Sequence, residues 1–295
     1  CMLFNKEMVR QYGFDDPYEL VKDDKWTLEA LGTMVRAVGE DANQDGVYDE
    51  NDVYGLMTWL DNVQAILAGA GERVCRVNDS GELELTLYNE RVVNLYDDFT
   101  ALIYDSSHVF NYQYDNKTGD RSSSDVWDKN RVNMFNNNQA MFYFTMLTTV
   151  PRHRDSTTDF GILPYPKWDA TQQDYCNTMH AYGTSYISVP ITTADQARTG
   201  AVIESLAYYG QKQLTPAYYE TTLKGKYFRD EESAAMLDLI FKSRFFDIGM
   251  YYQFGGYNEM VISMMQNKKT DFVSMYQKKE AKALEKIAEV NAAYD

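Results

Sequence analysis

The chain is poor in proline, cysteine, histidine and positive charge. Six prolines among 295 residues leave no proline-rich linker to separate rigid parts. The three cysteines, Cys1, Cys75 and Cys176, are scattered and form no C-x-x-C pair. That excludes a cysteine metal site of the usual spacing and allows at most one disulfide. The three histidines, His108, His153 and His180, show no metal-ligand spacing either. No run of about 18 apolar residues exists, so no membrane-spanning helix is expected. The chain opens without a basic region and an apolar run, so it carries no signal-peptide pattern. It also lacks a G-x-S-x-G elbow, a P-loop and a G-x-G-x-x-G run. Lys and Arg number 28 against 44 Asp and Glu, a net charge of −16. Phosphate backbones and anionic membrane surfaces are repelled by such a chain, which makes nucleic acid a poor partner.

Aromatic residues are abundant: 24 Tyr, 14 Phe and 4 Trp. Most such rings fill cores or half-buried surfaces. The tilt toward tyrosine also suits a protein that binds sugars, because a pyranose stacks its C–H face on a ring and needs donors and acceptors around it. Hydrophobic residues at 44% and charged residues at 24% are ordinary for a soluble globular chain with one large core or two smaller ones.

Residues 41–52 form the best-defined chemical pattern. Side-chain oxygens stand at loop positions one, three, five, nine and twelve, and glycine stands at six. Calcium takes six to eight hard oxygen ligands, and the glycine permits the sharp turn that gathers them. The expected ligands are Asp41, Asn43, Asp45, the carbonyl of Val47, Asp49 directly or through a water, and Asp52. A helix after Thr27 enters this loop and a short strand, Val53 to Met57, leaves it. With one helix and one loop, the ion is expected to be a structural staple rather than a switch.

Helices and short strands alternate along the chain, which predicts an α/β fold with helices covering a sheet. Asn89 caps a helix with Val92, Tyr96, Phe99 and Ile103 on one face, and residues 105–125 are expected to be a surface loop. Trp127, Arg131, Met134 and Phe135 mark a further helix. Ala140–Phe144, Phe160–Leu163 and Tyr186–Val189 read as strands. Thr193 and Gln196 make a capping box for a helix over 194–211. Asp230 caps another, a helix follows near 257–267, and the last runs from Ser274 toward Ala293.

Several segments together resemble a known family. They are Leu3-Phe4-Asn5-Lys6-Glu7, Gly13-Phe-Asp-Asp-Pro17-Tyr-Glu-Leu-Val-Lys with Lys25-Trp26-Thr27, and the acidic loop running into Tyr54-Gly55-Leu56. Phe160-Gly-Ile-Leu-Pro-Tyr-Pro-Lys167 belongs with them, as do Pro216-Ala-Tyr-Tyr-Glu220, Leu223-Lys-Gly-Lys-Tyr and Arg229-Asp-Glu-Glu-Ser233. The chain is similar to bacterial extracellular solute-binding proteins of ABC transporters, the family 1, maltose-binding-protein-like lipoproteins. That resemblance implies a periplasmic-binding-protein-like (type II) α/β clamp of two lobes, present here mainly as its C-terminal lobe. It also implies a monomer that catches a small solute, most often a sugar or oligosaccharide, and passes it to ABC permease subunits without chemistry. The full-length protein would be extracellular or at the cell surface, held by a lipid anchor missing from this chain. On this mapping 1–180 and 225–295 build the C-terminal lobe, 181–224 belongs to an incomplete N-terminal lobe, and the fragment binds ligand weakly or not at all.

The same resemblance points to ligand contacts in the loop after Tyr54-Gly55-Leu56. Trp59 offers a stacking face there, and Asp61 and Asn62 offer hydroxyl partners. A second candidate is Thr145 and Met146 after the Ala140–Phe144 strand. A third is His180 and Tyr182, where the chain would cross between lobes, and a fourth is Tyr252 and Asn258 around two glycines. Arg152 is a candidate for holding an acidic sugar. Two other readings compete: a carbohydrate-active enzyme fragment, which needs only two carboxylates, and a calcium-stabilised interaction module.

Overall fold

A computed structural model describes residues 1–113, 115, 124–181, 183–219 and 230–294. Strand β1 (Met2–Asn5) is buried at every position, and Asn5 then caps α1 (Lys6–Gln11), its Oδ1 accepting the Met8 amide at 3.0 Å. Asp16 caps α2 (Pro17–Lys22), where a proline in the first turn costs no helical hydrogen bond. Thr27 caps α3 (Leu28–Arg36), and Leu28, Leu31, Met34 and Val35 form its buried stripe, as their spacing predicts. Next come β2 (Gly39–Glu40), the acidic loop, β3 (Val53–Thr58) and α4 (Asn62–Gly69). The antiparallel pair β4 (Cys75–Val77) and β5 (Leu83–Leu85) leads to α5 (Glu90–Ile103), capped by Asn89. Then follow β6 (Val109–Asn111), α6 (Ser124–Asn136), β7 (Ala140–Phe144), β8 (Phe160–Leu163) and β9 (Asn177–Thr178). The remaining elements are α7 (Gln196–Tyr209), α8 (Glu231–Lys242), β10 (Arg244–Phe245), α9 (Ile248–Tyr252), α10 (Tyr257–Gln266) and α11 (Phe272–Tyr294).

The main sheet has the order β2-β3-β7-β1-β8. β1 lies between β7 and β8 and runs antiparallel to both, with Leu3 opposite Tyr143 and Ile162. β3 and β7 run parallel, with Leu56 opposite Phe142. The outer edge of β3 is shared, β2 pairing with its start and β6 with its end. All five residues of β7 are buried, so apolar side chains point to both faces and helices must cover each. One core continues from Trp26 and Phe142 through Tyr54, Phe99 and Phe110 to Leu237, Tyr257 and Tyr276.

Three expectations are corrected. Tyr186–Val189 forms no strand: among the described residues it joins no ladder, and its residues are exposed, Tyr186 only meeting Tyr251 edge to face. Asp195, not Thr193, caps α7 by accepting the Arg198 amide at 2.9 Å. The stretch expected to be wholly loop contains β6, three residues held in place by pairing with β3. The expectations for Tyr182, for 114 and 116–123 of the loop, and for the segments within 220–229 lie outside the described residues. The three cysteines are all unpaired thiols, and among the described residues no helix is long and apolar enough to cross a membrane.

Helix α7 is unlike the rest. It has no buried residue, and Val202, Leu206 and Tyr209, one helical face, are 53%, 63% and 58% exposed.

Candidate functional site

Because β3 and β7 are parallel neighbours, the chain leaves both at the same end of the sheet. Ligands of open α/β sheets bind outside the carboxyl ends of their strands. Here the exits of β3 and β7 meet the turn after β9 around a cavity of about 320 Å³. Small-molecule sites run to roughly 300–1,000 Å³. Trp59, Asp61, Asn62, Thr145, Met146 and His180, six of the residues expected at a site, line it together.

Asn62 organises the β3 side. Its Oδ1 accepts the Trp59 indole N–H at 2.7 Å and the Tyr165 hydroxyl at 2.9 Å, while its Nδ2 donates to Thr58 Oγ1 at 2.9 Å. Asn62 is the first residue of α4 and caps nothing; its amide is spent on fixing two rings. Burial, and then the neighbouring Tyr143, pushes the Tyr165 phenol well above its ordinary value, so it stays a neutral donor.

Trp59 itself is only 9% exposed. Its ring lies near-parallel to Tyr112, at 6.1 Å and 26°, and to the His180 imidazole, at 5.9 Å and 21°. His180 also stands 3.7 Å from the Asp61 carboxylate, and its carbonyl accepts Gly183 N–H and Thr184 Oγ1–H. The turn after β9 is thereby fastened to the exit of β3. Thr145, 2% exposed, and Met146 form the β7 side. Asp61 is the one carboxylate among the described lining residues.

Three expected residues lie off this cavity. Arg152 is ion-paired with Asp128, which also holds Arg131. Burial alone would raise the Asp128 carboxyl, but Arg152 and Arg131 hold it below its ordinary value. Tyr252 is half exposed and stacks on Phe254 at 5.5 Å. Asn258 is buried and spends its Nδ2 on the Met250 carbonyl at 3.1 Å. In exchange the structure brings in Tyr165, Phe241, Arg244 and Met250, for which the sequence offered no site signal.

The acidic loop keeps its turn, with Gln44 at φ +59° and Gly46 at φ +80°. Its carboxylates face its own amides. Asp41 accepts Gly46 N–H at 2.8 Å, Asp45 accepts Val47 N–H at 2.8 Å, and Asp52 accepts Ala42 and Asp49 N–H at 2.9 and 2.8 Å. Asn43 accepts Asp45 N–H at 3.0 Å. Among the described residues no group of three or more His, Cys, Asp or Glu stands together as a metal cluster.

No protein-family profile matches the chain, and no curated protein sequence matches it. Solved structures do. An ABC substrate-binding protein from Listeria monocytogenes in complex with cycloalternan has a TM-score of 0.58 at 11% identity, the match covering 98% of this chain and 68% of that one. A maltose/maltodextrin-binding domain from Bdellovibrio bacteriovorus bound to maltotriose gives 0.54 at 13% identity, covering 99% and 69%. A solute-binding protein from Streptococcus pneumoniae in complex with the blood group A-trisaccharide gives 0.52 at 11% identity, covering 97% and 69%. The chain thus has the α/β fold of the maltose-binding-protein-like, type II solute-binding proteins.

Proposed function

We propose that this chain is the ligand-capturing part of an ABC importer, and that it takes a sugar or oligosaccharide and delivers it unaltered to a permease. The observation that carries this reading is the cavity at the carboxyl ends of β3 and β7, walled by Trp59, Tyr165, Asn62 and Asp61. Proteins with the same fold hold cycloalternan, maltotriose and a blood-group trisaccharide. Rings for C–H faces and short polar side chains for hydroxyls are what a sugar requires. A single carboxylate among the described lining residues favours capture over glycoside hydrolysis, which ordinarily uses a pair.

In this reading Trp59, Asp61, Thr145, Met146 and His180 contact the ligand and Asn62 positions Trp59. Residues 181–224 belong with a second lobe. The support is α7, whose apolar face at Val202, Leu206 and Tyr209 is uncovered. An uncovered stripe of this kind is what a helix shows when its packing partner is elsewhere. The working protein is a monomer outside the cell, tethered by lipid. The 41–52 loop holds a structural calcium ion through Asp41, Asn43, Asp45, Asp49, Asp52 and the Val47 carbonyl. This rests on a hard-oxygen donor set and the left-handed turn at Gly46.

The test is calorimetric titration of the full-length protein with a panel of oligosaccharides, followed by chromatography of the recovered sugar. One-to-one binding with intact sugar is expected. Newly formed reducing ends would replace the reading with an enzymatic one.

A further inference from the structure

The cavity lining carries two side chains of opposite charge that do not pair with each other. Asp61 lines one part and is engaged with His180 at 3.7 Å. Arg244 lines another. No described carboxylate lies within ion-pair distance of the Arg244 guanidinium, although the chain contains 44 Asp and Glu. Asp61 is thus answered by His180, while Arg244 has no described carboxylate to answer it.

Arg244 is an exposed residue whose backbone is anchored. Arg244 sits in β10, and its backbone pairs with Asn177 of β9, next to the Thr178–His180 turn. Its Cζ lies 5.0 Å from the centroid of the Phe241 ring, and Phe241 lines the same cavity. A guanidinium over a ring is attracted by the ring's quadrupole without using up its N–H donors as a carboxylate would. Those donors form a fork that matches a carboxylate or sulfate, and a charge-assisted pair of this kind is stronger than a neutral hydrogen bond. Arg152, the arginine that the sequence offers for such a role, is occupied by Asp128, whereas Arg244 lines the cavity with no carboxylate partner among the described residues.

We infer that Arg244 is the anion-recognising residue of this cavity and that the ligand is an acidic saccharide, bearing a carboxylate or sulfate at the Arg244 end and hydroxyls at the Asp61 end. The inference rests on the proposed sugar-capturing function and narrows it. Asp61 repels an anion at its own end and accepts hydroxyl protons there, so the two charges fix the direction in which the ligand lies.

The experiment is a glycan array carrying neutral, uronate-containing and sulfated oligosaccharides, probed with the full-length protein. Hits are then titrated by calorimetry against wild type, Arg244→Met and Arg244→Lys. The expected hits are acidic glycans. Arg244→Met should weaken them about 10- to 100-fold, with the melting temperature kept, and Arg244→Lys should fall between, retaining charge but losing the fork. If the hits are uronates or sulfates alone, the acidic group is thereby identified. Hits among neutral glycans only, or equal affinity for Arg244→Met, would overturn the inference and leave sugar capture standing. No glycan bound at all would overturn both.

Discussion

The side-chain oxygen of Asn62 accepts the Trp59 indole N–H at 2.7 Å, and the same oxygen takes the Tyr165 hydroxyl at 2.9 Å. All three residues are buried, at 2%, 9% and 6% exposure. Replacing Asn62 by Leu keeps the volume and removes the acceptor, so two donors lose their partner away from water. Each orphaned donor costs about 1–3 kcal/mol. Asn62→Leu is therefore expected to destabilise the fold by roughly 2–4 kcal/mol in urea unfolding and to loosen the Trp59 ring, read as lower fluorescence anisotropy at a retained Trp59. Unchanged stability would show that the two donors find other acceptors.

Gly55 lies in β3 where α3 crosses it. A Cβ there would stand 2.1 Å from the Val35 carbonyl oxygen and 2.6 Å from Val35 Cα, both backbone atoms that cannot swing aside. Gly55→Ala should cost about 1–3 kcal/mol or more by forcing the helix off the sheet. Gly200, within α7, has nothing within 4 Å of a built Cβ. Gly200→Ala should instead gain about 0.5–1 kcal/mol through helix propensity. Thermal melts of the two variants should move in opposite directions.

His153 makes stability depend on pH. Burial, then the charges of Arg131 and Arg152, lowers its pKa from 6.5 to about 4. One ring nitrogen, Nδ1, meets Asn136 Oδ1 at 2.7 Å, while Nε2 is buried without a partner. The native state therefore keeps the ring neutral. Above pH 6.5 neither state is protonated and the contribution is constant. As pH falls from 6.5 to about 4, the unfolded chain takes up a proton that the folded one refuses, and stability is lost. The loss reaches roughly 3 kcal/mol. Unfolding free energies measured from pH 7 to 4 should fall more steeply for wild type than for His153→Gln. Parallel curves would contradict this account.

The calcium proposal has a separate readout. Asp45→Ala removes one oxygen donor from the 41–52 loop while Asp41 and Asp52 remain to repel each other. Its melting temperature should fall below wild type in calcium, and the two proteins should melt together in EDTA. Equal melting in both buffers would argue against the site.

Much of the fold could be read from local chemistry. Thr27, Asn89 and Asp230 cap helices as their residue types require, with Asp230 accepting the Ser233 amide at 2.5 Å. β7 is recognisable as an unbroken apolar run, and β3 follows the acidic loop as expected. What failed locally was made by tertiary pairing. β6 is three residues in a polar stretch that become a strand only because β3 offers an edge, and Tyr186–Val189 has strand composition with no edge to join. The site divides in the same way. Trp59, Asp61, Asn62, Thr145, Met146 and His180 lie in short segments that could each be singled out, but their meeting depends on β3 and β7 running parallel. Arg152 has the sequence character of an anion binder, but Asp128, 24 residues earlier, holds it. Arg244 and Tyr165 carried no local signal, since only the packing of β10 and of the chain after β8 brings them to the cavity.

The most direct measurement blocks the cavity. Ala65, on α4, lines it, and Ala65→Trp would fill part of the 320 Å³. Calorimetric titration of the full-length protein and of Ala65→Trp, with a saccharide that the wild type binds, compares occupancy of this one space. Saccharide binding should be lost in the variant at an unchanged melting temperature, with the sugar recovered intact from the wild type. Undiminished binding by a folded Ala65→Trp protein, or a shortened sugar, would contradict capture at this cavity.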